Sequence, residues 1–293
     1  MNESAHPNHR LPTIEAAPIG YREYKLLLRA DHFDKPTQFH RFWKLTRRIA
    51  HSLDIDILKR GKPMETHLRE VLFFDTPKFR LYNNNFMLRR RTFYNNGLQE
   101  AEHELTLKYR SHDRDAAAVL DLRPAASIPH VSKFKEEVLV DPAEAGAMRF
   151  IYSHSAEMMT RDNLLTGHFS DFAKLFPTLL SVGAKPTTTF GVVNDVAIEE
   201  VLVNMGEIVF GAKTTAKATL AVWRHRRTQE HLLGEYSYQV KYADPSGMHP
   251  HPKALSEQFF SRLQIDAADW LHHGTTKTAM VYSLGRVAIN HHE

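Results

Sequence analysis

Glu104-Leu105-Thr106-Leu107-Lys108-Tyr109-Arg110 is the stretch whose reading decides the fold. Side chains of a strand point to alternate faces, so Glu104, Thr106, Lys108 and Arg110 share one face while Leu105, Leu107 and Tyr109 share the other. The same period of two recurs on both sides of this segment. Glu23, Lys25 and Arg29 fall in phase, as do Arg89 and Arg91, and Lys135 with Glu137; further on, Glu235, Ser237, Gln239 and Lys241 oppose Tyr236, Tyr238, Val240 and Tyr242. Antiparallel sheets often solvate one face, which accounts for any one segment taken alone. Cations and carboxylates in phase on several segments point further, to one face built for a core and another for a charged partner. Such a mixed face suits a metal-bound polyanion.

The chain has 293 residues, enough for a sizeable core, and a net charge of +4 with a sequence pI near 9.1. That mild excess does not by itself imply nucleic acid. With no cysteine, disulfides, thiolate zinc sites and thiol nucleophiles are excluded. No apolar signal core or membrane-length apolar run stands out, so a cytoplasmic location without membrane attachment is expected. The nineteen histidines lack a helical i, i+4 pair with a nearby glutamate and read as scattered surface residues, His249, His251, His272, His273, His291 and His292 among them. Phosphate-binding Gly-x-x-x-x-Gly-Lys loops, dinucleotide glycine fingerprints and Gly-x-Ser-x-Gly elbows are absent from the sequence.

A tail over 1–19 precedes a single domain over 20–286, with a second tail over 287–293. Strands are expected near 21–30, 71–74, 87–93, 102–110 and 134–140. Phe39, Phe42, Leu45, Ile49 and Leu53 recur at helical steps between the first two. The chain then reads as helical from Pro142 to about Phe176, within a connection over 142–183. Strands resume near 185–190, 196–203, 207–210, 220–226 and 236–242, and helices are expected over 256–262 and 275–284. Two strand-rich halves joined by helices predict an α+β fold built on a closed antiparallel barrel, which leaves no sheet edge exposed.

Arg22-Glu23-Tyr24-Lys25, Phe73-Phe74-Asp75-Thr76-Pro77 with Arg80-Leu81-Tyr82, Leu88-Arg89-Arg90-Arg91 and Leu105-Thr106-Leu107-Lys108, in this order, resemble the CYTH domain, or triphosphate tunnel metalloenzyme family. The resemblance covers residues 21–141 well and 185–285 loosely. It implies an eight-stranded antiparallel tunnel holding a triphosphate among inward cations, with glutamates binding Mg2+ or Mn2+. On that resemblance Lys25, Arg89, Arg91, Lys108, Lys135 and Lys185 bind phosphate, and Arg110, in phase with Lys108, is expected to join them. Glu23, Glu137 and Glu235 hold the metal, and Glu137 also ligates it for catalysis or positions the attacking water.

Tyr21 stands where the family has its first glutamate, Thr187 where it has an arginine, and Ser237 and Gln239 where paired glutamates are common. The reaction implied is metal-dependent hydrolysis of an inorganic or organic triphosphate. The alternative is a module of the same fold that binds polyphosphate or a nucleotide without turnover. Nucleic acid is not the expected partner, although Arg224, His225, Arg226 and Arg227 with Lys44, Arg47 and Arg48 form basic clusters; homodimerisation is left open.

Overall fold

The computed structural model describes residues 14–59, 64–162, 166–244 and 247–284. The alternating segments form β1 (Tyr21–Leu28), β2 (Asp56–Leu58), β3 (Thr66–Asp75), β4 (Phe86–Asn95), β5 (Leu98–Ser111), β6 (Val131–Val140), β7 (Met148–Thr160), β8 (Thr166–His168), β9 (Thr189–Val192), β10 (Ile198–Gly211), β11 (Thr214–His225) and β12 (His231–Lys241). Nine of these close on themselves in the order β10-β11-β12-β1-β6-β7-β5-β4-β3 and back to β10. All neighbours are antiparallel except β1 and β6, which run parallel with Glu23 opposite Glu137. β2, β8 and β9 lie outside the closed ring, so the barrel has nine strands rather than eight.

The additional strand comes from the region expected to be helical. β7 occupies Met148–Thr160, between β5 and β6, and among the described residues of 142–176 only α3 (Phe169–Leu175) is α-helical. Its Ala156, Met158 and Met159 favour a helix by composition, yet Ile151, Ser153, Ser155 and Glu157 alternate with period two. Pairing along both edges overrides helix propensity here. Residues 14–19, expected as tail, are pinned: Ile14 and Ala17 donate backbone hydrogen bonds to Val119 and Ala118 at 2.6 and 3.0 Å, around the end of α2 (Arg114–Val119). Residues 1–13 and 285–293, the latter including the expected C-terminal tail, lie outside the described residues.

β10 serves two partners because it is kinked. Ile198–Val203 pairs with β3 and Glu207–Val209 with β2, across a bulge at Asn204–Gly206. Gly206 has φ +90°, and a Cβ there would stand 2.6 Å from the Leu58 carbonyl oxygen, so only glycine fits.

The outward faces supply the core. Tyr24, Leu26 and Leu28 of β1 pack with Phe42, Trp43 and Ile49 of α1 (Pro36–His51) and Phe259, Phe260 and Leu263 of α4 (Pro250–Asp266). Leu88, Leu105 and Leu107 pack against Phe169, Phe172 and Ala173 of α3. Each leucine, isoleucine or phenylalanine among these contributes about 1.5–3 kcal/mol by leaving water. The opposite strand faces carry the charged residues that line the barrel interior. No helix among the described residues is long and apolar enough to cross a membrane.

One end of the barrel is crossed by the chain after α4. Leu271 bridges to Leu28, His272 donates its N–H to the Leu27 carbonyl, and α5 (Lys277–Ser283) follows, its first turn capped by the Thr276 hydroxyl. Asn194 Nδ2 donates to the carbonyls of Val281 and Tyr282, each at 3.0 Å, and Tyr282 stacks on Tyr82. The Asp75-Thr76-Pro77 turn takes the other end of this strap. The Asp75 carboxylate accepts from the backbone N–H groups of Thr76, Leu81 and Tyr82 and from the Tyr282 hydroxyl, the last at 3.0 Å. Asp75 is therefore an anchor for the turn and the strap.

Burial pushes the Asp75 carboxyl up to about 6, against these hydrogen bonds, which pull it down. A carboxyl with a raised folded value binds its proton more tightly when folded, so its contribution to stability falls as pH rises from about 4 to about 6. Asp75→Asn removes this titration and turns an amide N–H group towards donors, at a cost of about 1–3 kcal/mol near neutral pH. On acidification from about pH 6 to 4 the parent should gain stability relative to the variant, as read by urea unfolding. Parallel pH profiles for the two proteins would refute the assignment.

Candidate functional site

The inward faces enclose a cavity of about 710 Å³ lined by ten basic and five acidic side chains. Closure brings together residues far apart in sequence: Glu23 and Lys25 from β1, Arg89 and Arg91 from β4, Lys108 and Arg110 from β5, Lys135 and Glu137 from β6, and Glu235 from β12 all border it. Lys185 does not. It is exposed in the turn ahead of β9, where its carbonyl accepts from Thr188 N–H.

Glu137 is the centre of one half of the cavity. Fully buried, it meets the ammonium of Lys25 at 2.9 Å, the ammonium of Lys108 and the guanidinium of Arg110 at 3.4 Å, and it accepts from the Ser153 hydroxyl at 2.7 Å. Burial would raise its carboxyl, but Arg110, Lys108 and Lys25 hold it well below the ordinary range. Three cations thus share one carboxylate. Lys108 bears the consequence: burial and the neighbouring Arg110 push its ammonium well down despite Glu137. Beside them Glu23 is bridged by Lys25 at 3.2 Å and Lys135 at 3.3 Å, and Lys135 also reaches Gln239 at 2.5 Å. Against the upward push of burial, these two lysines lower the Glu23 carboxyl.

The other half is organised by Glu104 and Glu200. Glu104 meets Arg91 at 2.9 Å and Arg89 at 3.7 Å, and it accepts from the Thr106 hydroxyl. Although burial raises it, these arginines hold its carboxyl at about 2. Burial and the adjacent Arg91 push Arg89 down to about 9. Glu200 is contacted by Arg69 at 2.5 Å, Lys277 at 3.3 Å and the Trp223 indole N–H at 2.9 Å. Lys277 arrives from α5, lies 4.5 Å above the Trp223 ring and meets Glu235 at 3.1 Å. Between the halves, Lys133 pairs with Glu157.

Several of these contributors are harder to find in the sequence. Arg69 and Lys133 stand two residues before Val71 and Lys135, in phase with them, so alternation could have reached them. Glu157 was hidden by the helical reading of β7. Glu200 and Lys277 occupy regions where the resemblance is loose, and Lys277 comes from a helix that no strand periodicity reports. His272 and His273, expected as scattered surface residues, border the cavity from the strap.

Glu23, Glu137 and Glu235 do not converge on one divalent metal. Mg2+ and Mn2+ require several oxygen ligands at one point. Glu23 and Glu137 face each other across β1 and β6, but Glu235 lies opposite Leu27, whereas Gln239 lies opposite Glu23. Four strand residues separate those levels, about 13 Å at roughly 3.3 Å per residue. Among the described residues no three histidine, cysteine, aspartate or glutamate side chains gather as a metal site. Lysines occupy the carboxylates instead.

The clusters outside the barrel are ordinary surface. Arg224 pairs with Glu199, Arg226 pairs with Glu70 at 2.9 Å and lies over Tyr94, and Lys44, Arg47 and Arg48 are exposed on α1.

No family model and no curated protein matches the chain. Solved structures that it resembles include a candidate adenylyl cyclase from Hippeastrum described as having a dominant triphosphatase activity, at 15% identity and TM-score 0.38, covering 94% of this chain and 100% of that one. A candidate adenylate cyclase from Bacillus halodurans matches at 11% identity and TM-score 0.39, with 89% and 98% covered. A protein from Pyrococcus horikoshii OT3 matches at 10% identity and TM-score 0.36, with 89% and 99% covered.

Glu137→Gln keeps the side-chain shape but removes the anion shared by Lys25, Lys108 and Arg110. Breaking a buried pair on one side typically costs about 3–5 kcal/mol, because the remaining charge is left uncompensated. The variant should unfold at distinctly lower urea, and added tripolyphosphate should restore part of the loss. An unchanged midpoint would show that Glu137 is not the counter-charge of this cluster.

Proposed function

We propose that this chain binds a triphosphate, free or as part of an organic molecule, inside its barrel. The observation that supports this most directly is the charge of an enclosed cavity whose basic side chains outnumber its acidic ones by ten to five, with three cations sharing Glu137. Like charges about 6 Å apart repel by roughly 3 kcal/mol at an effective dielectric near 20. A linear polyanion lying along the cavity relieves that repulsion. Arg89, Arg91, Lys108 and Arg110 would grip phosphate oxygens from one wall, and Lys25 and Lys135 from the wall facing them.

Arginine suits this role because its planar fork stays charged and engages phosphate through two parallel hydrogen bonds. The architecture is also the one that the sequence resemblance implied, a closed barrel with cations inside. Metal-dependent hydrolysis, the reaction implied with it, would draw on Glu23, Glu137 and Glu235, which are engaged by Lys25, Lys135 and Lys277. Binding is accordingly the reading that the geometry favours.

A ligand at about one hundred times its dissociation constant adds roughly 2.7 kcal/mol of stability, several degrees in melting temperature for a domain of this size. Tripolyphosphate should raise the melting temperature well beyond chloride at equal ionic strength, and Arg89→Ala with Arg91→Ala should abolish the rise. A double variant that responds like the parent would remove these arginines from the site. Phosphate release, followed in the same samples, decides whether bound tripolyphosphate or ATP is turned over.

A further inference from the structure

Three lysines stand where a divalent cation would have to stand. Lys25 lies between Glu23 and Glu137, 3.2 and 2.9 Å from their oxygens. Lys135 closes the remaining side of Glu23 at 3.3 Å and takes the Gln239 carbonyl oxygen as a second partner. Lys277 sits between Glu200 and Glu235 at 3.3 and 3.1 Å, held over the Trp223 ring. Each carboxylate of the expected metal set is therefore already neutralised by an ammonium fixed in the wall.

We infer that the cavity takes its triphosphate free of divalent metal, with these ammonium groups supplying the positive charge that a bound cation would otherwise bring. The inference rests on the reading of the cavity as a triphosphate site. Two physical arguments carry it. A divalent ion entering between Glu23 and Glu137 must displace Lys25 and then face Lys108 and Arg110 across the same carboxylate, in a cavity already in cationic excess. A triphosphate complexed by Mg2+ has also lost much of the negative charge to which this cavity is complementary, whereas the free anion keeps it. Mg2+ in solution therefore competes with the protein for the ligand.

Isothermal titration of the full chain with tripolyphosphate separates the possibilities, run once with EDTA and once with Mg2+ in excess over the ligand at matched ionic strength. Affinity should be higher in EDTA, by about tenfold or more, equivalent to at least about 1.4 kcal/mol, and should fall as Mg2+ is raised. Affinity that rises with Mg2+ would overturn this inference while leaving the triphosphate reading in place. Absence of binding in both buffers would sink the triphosphate reading and this inference with it. The ligand-free protein supplies a second, independent measurement: Mn2+ added at equimolar concentration should keep the free-ion paramagnetic resonance signal at full height. Stoichiometric loss of that signal would show that the carboxylates hold metal after all and would overturn the inference.

Discussion

Glu137 gathers Lys25 of β1 and Lys108 and Arg110 of β5 around one buried carboxylate, and the rest of the interior is organised about that contact. Burying an ion is costly unless partners and hydrogen bonds replace its water. Here the replacement comes from β1 and β5, which flank β6 and β7 in the sheet, and it exists only where those four strands are paired in register. β6 places Glu137 beside β1 through the one parallel pairing of the barrel, and β7 between β6 and β5 adds the Ser153 hydroxyl. Pairing of β1 with β6 and charge compensation are therefore coupled: a sheet opened between them would separate Glu137 from Lys25.

The interior compensates its buried carboxylates throughout and its cations unevenly, with Lys25 and Arg91 raised, against burial, by their carboxylate partners. Glu23, Glu104, Glu137 and Glu200 are all held below their ordinary values, while Lys108 and Arg89 are pushed down by burial and by neighbouring cations. That asymmetry is what distinguishes a binding cavity from a structural ion-pair lattice. A lattice selected for stability alone would match the signs, or replace the ions by apolar side chains of similar volume, which is often neutral or stabilising. On the proposed reading, the excess of cations over carboxylates in the cavity is relieved when an anion arrives.

Alternation made the inward face legible before any tertiary information. β5 is the clearest case, since Leu105 and Leu107 pack on α3 while Lys108 and Arg110 line the cavity, as period two requires. What alternation cannot supply is height along the barrel. Glu235 was read with the correct phase, yet its level is set by the register of β12 against β1, which places it opposite Leu27 and away from Glu23. Lys185 failed for a related reason: a lysine next to a strand carries no phase, and this one stands outside the strand in an exposed turn. β7 was lost because serines on the inner face and methionines on the outer face weaken the contrast on which the signal depends.

The strap shows why part of the site lay beyond any strand-based reading. Lys277 belongs to a short helix, and its place inside the barrel is fixed by contacts remote from it: Asn194 holding the carbonyls of Val281 and Tyr282, and Asp75 holding the Tyr282 hydroxyl. The Asp75-Thr76-Pro77 turn, one of the stretches that carry the sequence resemblance, thus acts on the cavity at one remove. It fixes the helix that delivers a cation to Glu200, Glu235 and Trp223. A residue can belong to a motif because it builds the wall, and Asp75, buried and taking four donors, does not border the cavity.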